Sequence, residues 1–285
     1  MKKTIIILVL TIVLFSAIAS FNGVYNKSGH GEYEYQSIRG ETVKIYGQGL
    51  YKHMSKEVAI QGIAQDYITF SIAIPLLILS LFMYIKNSLR FKLLLGGVLF
   101  YVFVTYLLYL AMGMYNEMFL VYIVILGSSF FALITYLLSL DYDKINSQFS
   151  KQTPMKSSGI FLIINSLIIA LLWLSIIISP LVSGKLYPQG LEHYTTLIVQ
   201  GFNLGLLLPM AFITGYLMIK KHRFAYVFGS VYLTFLSILM TALTAKIIAM
   251  KIGGYSVVPV IFIIPTINIV SIIFNTWVLS QVRTK

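Results

Sequence analysis

Acidic, amide and histidine side chains beside the apolar segments are the residues of this chain best suited to chemistry. Asp66 comes just before the second long apolar run, and Asn116 and Glu117 lie in a tight turn between the third and fourth. Because such groups bind cations and polar ligands, we predict an outward-facing ligand pocket formed by Asp66, Asn116, Glu117, Gln61 and His193. The alternative is that these side chains are simply solvated at loop ends.

Other groups suggest a metal site or an enzyme, but none forms a complete set. His30, Glu32 and Glu34 alternate, so they share one strand face and are ligand types that zinc accepts, yet nothing fixes a further ligand. The chain has no cysteine, no H-E-x-x-H motif and no glycine-lysine phosphate loop. We predict no metal, no cofactor and no catalytic residues, and the sequence favours a protein that is not an enzyme without deciding the point.

Lys246 lies within the seventh apolar run, where a lysine could carry a Schiff base. At about 100° per residue it is roughly half a turn away from Ser237, which belongs to the polar face of the same helix. It is also close to the end of the run. We therefore expect its amino group to extend to the lipid headgroups.

Eight long apolar runs must position these residues. The chain has 285 residues, of which 58% are hydrophobic and only 11% charged. A run of about 20 apolar residues crosses ~30 Å of hydrocarbon as a helix, so the sequence predicts an all-α polytopic membrane protein with about eight transmembrane helices. The runs cover residues 4–20, 67–85, 91–112, 118–140, 159–182, 195–219, 224–249 and 256–281.

The basic residues predict the orientation of these helices. With the N-terminus inside, the cytoplasmic side holds thirteen basic residues and two acidic ones, whereas the outer side holds eight basic and seven acidic ones. Cytoplasmic loops are enriched in lysine and arginine, so we predict a plasma-membrane protein with both termini in the cytoplasm. The net charge of +12 then reflects contact with an anionic bilayer, and we expect no nucleic-acid partner.

The first run has two interpretations. Residues 1–20 are predicted to form the first transmembrane helix. Met1-Lys2-Lys3 followed by an apolar stretch and Ala17-Ile18-Ala19 also fits a cleaved secretory signal. Cleavage would reduce the helix count to seven and leave the next segment outside.

Residues 21–66 are predicted to form an extracellular cap. Glu32–Tyr35 and Thr42–Tyr46 alternate in polarity around Arg39-Gly40-Glu41, which is typical of a β-hairpin. Ser55 is the expected N-cap of the helix that leads into the second span. Residues 67–140 would then form helices 2–4, residues 141–158 a cytoplasmic linker and residues 159–285 helices 5–8. No internal repeat is detected, although these two halves would run parallel.

The order of several short motifs resembles a group of uncharacterised prokaryotic multi-pass membrane proteins. The motifs include Gly47-Gln48-Gly49-Leu50-Tyr51, Gln61-Gly62-Ile63-Ala64-Gln65-Asp66, Pro75 and the segment 115–120, and the similarity covers roughly residues 37–125. The resemblance implies a membrane fold and no particular activity.

Small polar residues recur along the last three runs. Five serines and threonines between Ser230 and Thr244 follow steps of four and three residues, and similar stripes occur in the sixth and eighth runs. Such residues allow helices to pack closely and to hydrogen-bond to one another. Alternatively, with Pro209 and Pro265, they line a polar path.

Two hypotheses for the function remain. One is a protein that binds or transports a small ligand or an ion through the outer pocket. The other is a non-catalytic accessory subunit that docks a membrane partner or a second copy of itself, with Gly201 and Gly205 in a G-x-x-x-G spacing at the contact.

Overall fold

The computed structural model describes residues 1–188 and 190–283. Among them, eight helical spans are long and apolar enough to cross a membrane, which confirms the predicted multi-pass architecture. The connection between α5 and α7 contains one further short helix, α6 (Tyr142–Ser147). The spans are α1 (Lys2–Tyr25), α2–α3 (Lys56–Ile68 and Ile74–Ile85), α4 (Leu89–Met112), α5 (Phe119–Leu138), α7 (Met155–Val182), α8–α9 (Ile198–Phe202 and Leu208–Ile219), α10 (Ala225–Ile252) and α11 (Val260–Ser280).

The bundle has two different ends. Residues 26–55 cover one end, which we call the cap end, and they include the strands β1 (Tyr33–Gln36) and β2 (Thr42–Ile45). The opposite end, which we call the linker end, carries the start of α1, the connection that contains α6, and the end of α11. Because eight spans cross in alternating directions, the two ends of the described chain meet on this side.

Two spans contain a π-helical turn directly before a proline. The turn Thr69–Ala73 precedes α3, whose second residue is Pro75, and the turn Asn203–Leu207 precedes α9, whose second residue is Pro209. A proline inside a helix has no N–H to donate, and its ring collides with the carbonyl one turn back. A wider π turn at that point accommodates the ring without ending the helix.

The two interrupted spans hold the same place in two four-helix halves, α1–α5 and α7–α11. Each is the second span of its half, and each is followed by a residue with positive φ, Asn87 (63°) and Lys221 (50°). The same number of residues separates each proline from its positive-φ residue, and the same pattern of backbone hydrogen bonds closes both turns. The halves therefore share a local architecture that the sequence analysis did not detect.

The third span of each half, α4 and α10, forms the centre of the molecule. These two helices pack against each other and against most of the other spans. They approach closely at Gly97, whose Cα lies against the Thr234 side chain and the Val231 carbonyl. One turn further on, the rings of Phe100 and Phe235 are 4.4 Å apart.

The predicted hairpin is present, but the cap is shorter than residues 21–66, because α1 continues to Tyr25 and α2 begins at Lys56. β1 and β2 pair in antiparallel register around a turn in which Gly40 has a φ of 81°. Ser55 caps α2 by accepting a hydrogen bond from the Val58 N–H. A 3₁₀ turn, Gly49–Tyr51, then packs Leu50 and Tyr51 onto the first turns of α2, so the hairpin is anchored to the second span.

Hydrogen bonds between segments that are distant in sequence stabilise the linker end. Asp141 caps α6, and Phe149 forms an isolated β-bridge with Val282. Arg90 at the start of α4 donates hydrogen bonds to the carbonyls of Leu279 and Ser280. The predicted linker is therefore an ordered connection that ties the first half to the end of the second.

Candidate functional site

Polar residues on α2 and α4 face each other at the cap end of the bundle. On α4, Tyr101, Thr105 and Tyr109 are spaced four residues apart, which places them on one face. On the opposing helix, Gln65 donates hydrogen bonds to the Tyr101 hydroxyl (2.7 Å) and to the Thr105 hydroxyl (3.3 Å). A polar seam therefore runs between these two helices inside an otherwise apolar bundle.

Asp66 is the ionisable centre of this seam. Its carboxyl group is only 1% exposed. It accepts a hydrogen bond from the Tyr51 hydroxyl at 2.5 Å and one from the Tyr109 hydroxyl at 2.9 Å. Burial, followed by the neighbouring Asp66 carboxylate, raises the pKa of Tyr51 in the cap, so Tyr51 keeps the proton that it donates.

Two glycines allow this close packing. The Cα of Gly23 on α1 lies directly against the Asp66 carboxylate, and Gly62 on α2 lies against the Tyr51 ring. A side chain at either position would occupy space that the Asp66 or Tyr51 group already fills. Asp66 is therefore enclosed by α1, α2, α4 and the cap, rather than lining the open pocket that the sequence suggested.

Lys246 on α10 interacts electrostatically with Asp66. The two helices run antiparallel, and Gly253 just beyond α10 lies against Ile60 on α2. Lys246, seven positions further in on α10, and Asp66, six positions further in on α2, therefore lie at nearly the same depth. Lys246 is partly exposed and lies within electrostatic range of the Asp66 carboxylate, but beyond the 4.0 Å of a direct ion pair. Among the described residues, its amino group makes no hydrogen bond. The sequence analysis expected the amino group of Lys246 to extend to the lipid headgroups. It did not predict the electrostatic interaction with Asp66.

Two buried polar atoms beside Asp66 have no hydrogen-bond partner within the described chain. They are the Oε1 atom of Gln65 and the hydroxyl of Tyr106, and both residues are almost fully buried. A buried polar atom without a partner costs free energy unless a ligand or water satisfies it. This region therefore combines a carboxylate, a nearby ammonium group and unused hydrogen-bonding capacity.

The other predicted site residues lie apart from Asp66. Asn116 is buried, and its side chain accepts a hydrogen bond from the Met118 N–H within the α4–α5 turn. Glu117 is exposed and pairs with Lys52 at 3.0 Å. Gln61 is partly exposed on α2. The structure brings Asp66 together with tyrosines that the sequence analysis did not name, rather than with these residues.

His193 lies on the connection between α7 and α8, where it contacts the cap. Its Nε2 atom is 3.1 Å from the His53 carbonyl, and its ring packs edge-on against Tyr35. Arg39 at the hairpin turn donates to the carbonyls of Glu192 (3.0 Å) and Tyr194 (2.9 Å). The cap, which belongs to the first half, is thus attached to the second half as well.

The contact of His193 with the cap is expected to weaken in acid. Burial lowers the pKa of His193, so its contribution to stability is present above the ordinary histidine pKa of about 6.5 and is lost as the pH falls through the lower folded value. Burial raises the pKa of the adjacent Glu192, which acts in the opposite direction. The protection factors of residues 191–195 against hydrogen exchange should therefore fall more in the wild type than in His193→Gln when the pH is lowered from about 7.5 to about 5.5.

Glutamine can still donate to the His53 carbonyl, and Glu192 is present in both proteins, so the comparison isolates the imidazole. Equal changes in the two proteins would show that His193 does not control this contact.

Two side chains of the polar stripe on α10 join it to α11, whereas Ser230, Ser237 and Thr244 bond to carbonyls of their own helix. Thr234 donates to Asn275 (2.9 Å) and Thr241 to Asn268 (3.1 Å), which connects α10 with α11. The stripe of the sixth span does not join them, because Asn203 bonds only to the Val199 carbonyl of its own helix. These contacts agree with the packing interpretation.

Comparison with known proteins gives no family for this arrangement. The chain matches no protein-family model, no curated protein and no solved structure. The resemblance to prokaryotic membrane proteins stays a prediction, and the function must be argued from the site.

Proposed function

We propose that this membrane protein binds a small polar ligand or an ion beside Asp66 and transports it across the bilayer. The observation that carries the proposal is the enclosed Asp66 carboxylate, which faces an ammonium group that it does not contact directly. Ionisable groups inside membrane spans are costly, and they commonly mark a substrate or ion pathway. The unpartnered atoms of Gln65 and Tyr106 add polar groups for a ligand to satisfy.

The matching interruptions in the two halves support transport over binding alone. Interrupted helices in corresponding positions of two repeats are a frequent feature of transporter binding sites. One of the two π turns, Thr69–Ala73, begins three residues after Asp66. The cap contacts both halves through Tyr51 and Arg39. A movement of one half against the other would therefore change the surroundings of Asp66.

We further propose that the cap end faces the outside of the cell. The linker end carries the lysine- and arginine-rich turns, which favour the cytoplasmic side. Because the chain contains no cysteine, single cysteines report accessibility cleanly. A membrane-impermeant thiol reagent applied to intact cells should label Ile38→Cys in the cap, where Ile38 is 89% exposed, and should leave Ser147→Cys on α6 unlabelled. The reverse pattern would contradict this orientation.

Native mass spectrometry of the protein purified in mild detergent tests the binding proposal. We expect a small-molecule or ion adduct on the wild type that is lost in Asp66→Asn. The matched control is Asp143→Asn, which makes the same change at an exposed site on α6 and should retain the adduct. Equal adducts on all three proteins would overturn the proposed role of Asp66.

A second candidate function is a subunit that docks a partner in the membrane, and one observation favours it. Gly201 and Gly205 are exposed on the face of the sixth span, and no other part of the described chain lies within 4 Å of the position a Cβ atom would take. Small residues in this spacing allow a second helix to approach closely.

The variant Gly201→Leu tests whether Gly201 serves to dock a partner or only to stabilise the fold. Because the space beside Gly201 is open, we expect the variant to fold. Its free energy of unfolding should lie within about 1 kcal/mol of the wild-type value. If a partner docks there, the variant should lose that partner on co-purification from native membranes. Retention of every partner by Gly201→Leu would remove the support for docking at this face.

A further inference from the structure

A cavity lies at the linker end, at the opposite end of the bundle from the cap. It has a volume of about 370 Å³ and is bounded by the start of α1, the turn between α3 and α4, and the turn between α5 and α6. Pockets of roughly 300–1,000 Å³ are typical of small-ligand sites. The proposed function does not use this cavity.

The lining of the cavity is positively charged. Lys2, Lys92 and Lys144 contribute three ammonium groups against the single carboxylate of Asp141. That carboxylate is already engaged, since it accepts a hydrogen bond from the Lys144 backbone N–H as the cap of α6. An anion is therefore the ligand that this lining would attract.

The lysines differ in how they are held. Lys2 is fixed by hydrogen bonds from its amino group to the Ile85 carbonyl (3.0 Å) and to the Asn87 side chain (3.1 Å). Within the described residues, the amino groups of Lys92 and Lys144 make neither a hydrogen bond nor an ion pair. Two of the three ammonium groups thus keep all their donors for a ligand.

The start of α4 adds to this positive potential. Ser88 and Leu89 line the cavity, and the Ser88 side chain does not cap the helix. The first N–H groups of this 24-residue helix therefore remain available as donors. The positive end of a helix dipole favours an anion at this position.

We infer that the cavity binds an anionic phosphate group. Several separate ammonium donors and free helix N–H groups suit the oxygens of a phosphate. Lys92 is in the first turn of a span, so the cavity lies where the bilayer surface meets the protein. The phosphate could belong to the headgroup of an anionic phospholipid or to a small soluble compound, and the two sources make different predictions.

The test uses purified protein in detergent with three probes, dioctanoyl phosphatidylglycerol, dioctanoyl phosphatidylcholine and sodium pyrophosphate. Native mass spectrometry measures the bound lipid, and a melting-temperature shift measures pyrophosphate binding. Lys92→Gln/Lys144→Gln removes the two unpaired amino groups. The matched control, Lys220→Gln/Lys221→Gln, removes the same charge from the corresponding turn of the second half.

We expect the wild type and the control to prefer phosphatidylglycerol over phosphatidylcholine, and the Lys92/Lys144 variant to bind it at least about tenfold more weakly. Displacement of the lipid by pyrophosphate would assign the cavity to soluble phosphates as well, and no displacement would assign it to the headgroup. Equal binding of both lipids, no binding to the wild type, or equal losses in both variants would overturn the inference. Lys144 is exposed, so Lys144→Gln alone provides the test if the double variant fails to fold.

Discussion

Asp66→Ala is expected to lower the free energy of unfolding by about 1–3 kcal/mol, the cost of leaving one buried group unsatisfied. The Tyr51 and Tyr109 hydroxyls lose the carboxylate as acceptor, although the Gly62 carbonyl, 3.3 Å from the Tyr109 hydroxyl, can still accept from one of them. Tyr51 and Tyr109 both donate to this carboxylate, and it is 1% exposed. Gly23 of α1 packs directly against the carboxylate, so this side of the group is closed by the protein itself. The loss is measured by unfolding in mixed micelles.

Two matched variants show whether the stability lost in Asp66→Ala comes from the buried hydrogen bonds. Asp66→Asn keeps an oxygen acceptor and the same shape, so it should cost less than half as much as the alanine variant. Glu117→Ala removes an exposed carboxylate with one surface ion pair, and such pairs contribute about 0–1 kcal/mol. A cost for Asp66→Ala no larger than that for Glu117→Ala would contradict the enclosed geometry of the site.

The second large effect is expected at the contact between the two halves. Gly97→Ala should destabilise the protein by about 1–3 kcal/mol, the usual cost of overpacking a filled interior. The added methyl group would collide with the Thr234 side chain and would lie 2.8 Å from the Val231 carbonyl. The helices α4 and α10 would have to move apart to admit it. The change is measured by the same unfolding experiment.

Gly127→Ala makes the same substitution within α5, where no neighbouring atom lies within 4 Å of the new methyl group. Alanine is favoured over glycine in a helix by up to about 1 kcal/mol. We therefore expect this variant to match or exceed the stability of the wild type. Similar losses at positions 97 and 127 would show that the glycines act through the helix backbone and not through the contact between halves.

The spans and the cap could be predicted because their signals are local. Each apolar run is long enough to cross a bilayer on its own, and all eight appear as helices. Alternation around Arg39-Gly40 predicted the hairpin, and Ser55 was recognised as a cap from its position before α2. Period, length and capping depend on neighbouring residues only.

The surroundings of Asp66 could not be predicted in the same way. Tyr51 and Tyr109 reach the carboxylate only because the cap folds onto α2 and α4 packs beside it. One signal was available, since Tyr101, Thr105 and Tyr109 recur every four residues in the third span. The sequence analysis sought polar stripes in the last three spans, where two hydrogen bonds join α10 to α11 and the other side chains bond within their own helices.

The structural effect of the prolines was predicted only in part from the sequence. Pro209 was identified as a position that frees backbone groups, but its equivalence to Pro75 was not recognised, because the residues around the two prolines differ. The shared feature is a backbone feature, a π turn before the proline and a positive-φ residue after the helix. Backbone geometry of this kind leaves little trace in side-chain identity.

The central claim is that the enclosed carboxylate of Asp66 serves the passage of a small polar solute or ion. Its most direct test is an uptake experiment, in which proteoliposomes are incubated with a small-molecule and ion extract of the source cells. Mass spectrometry and elemental analysis then identify what accumulates inside. Proteoliposomes with the wild type or with Asp143→Asn should accumulate at least one solute or ion that Asp66→Asn proteoliposomes and protein-free liposomes do not. Equal accumulation in all four preparations would contradict the account.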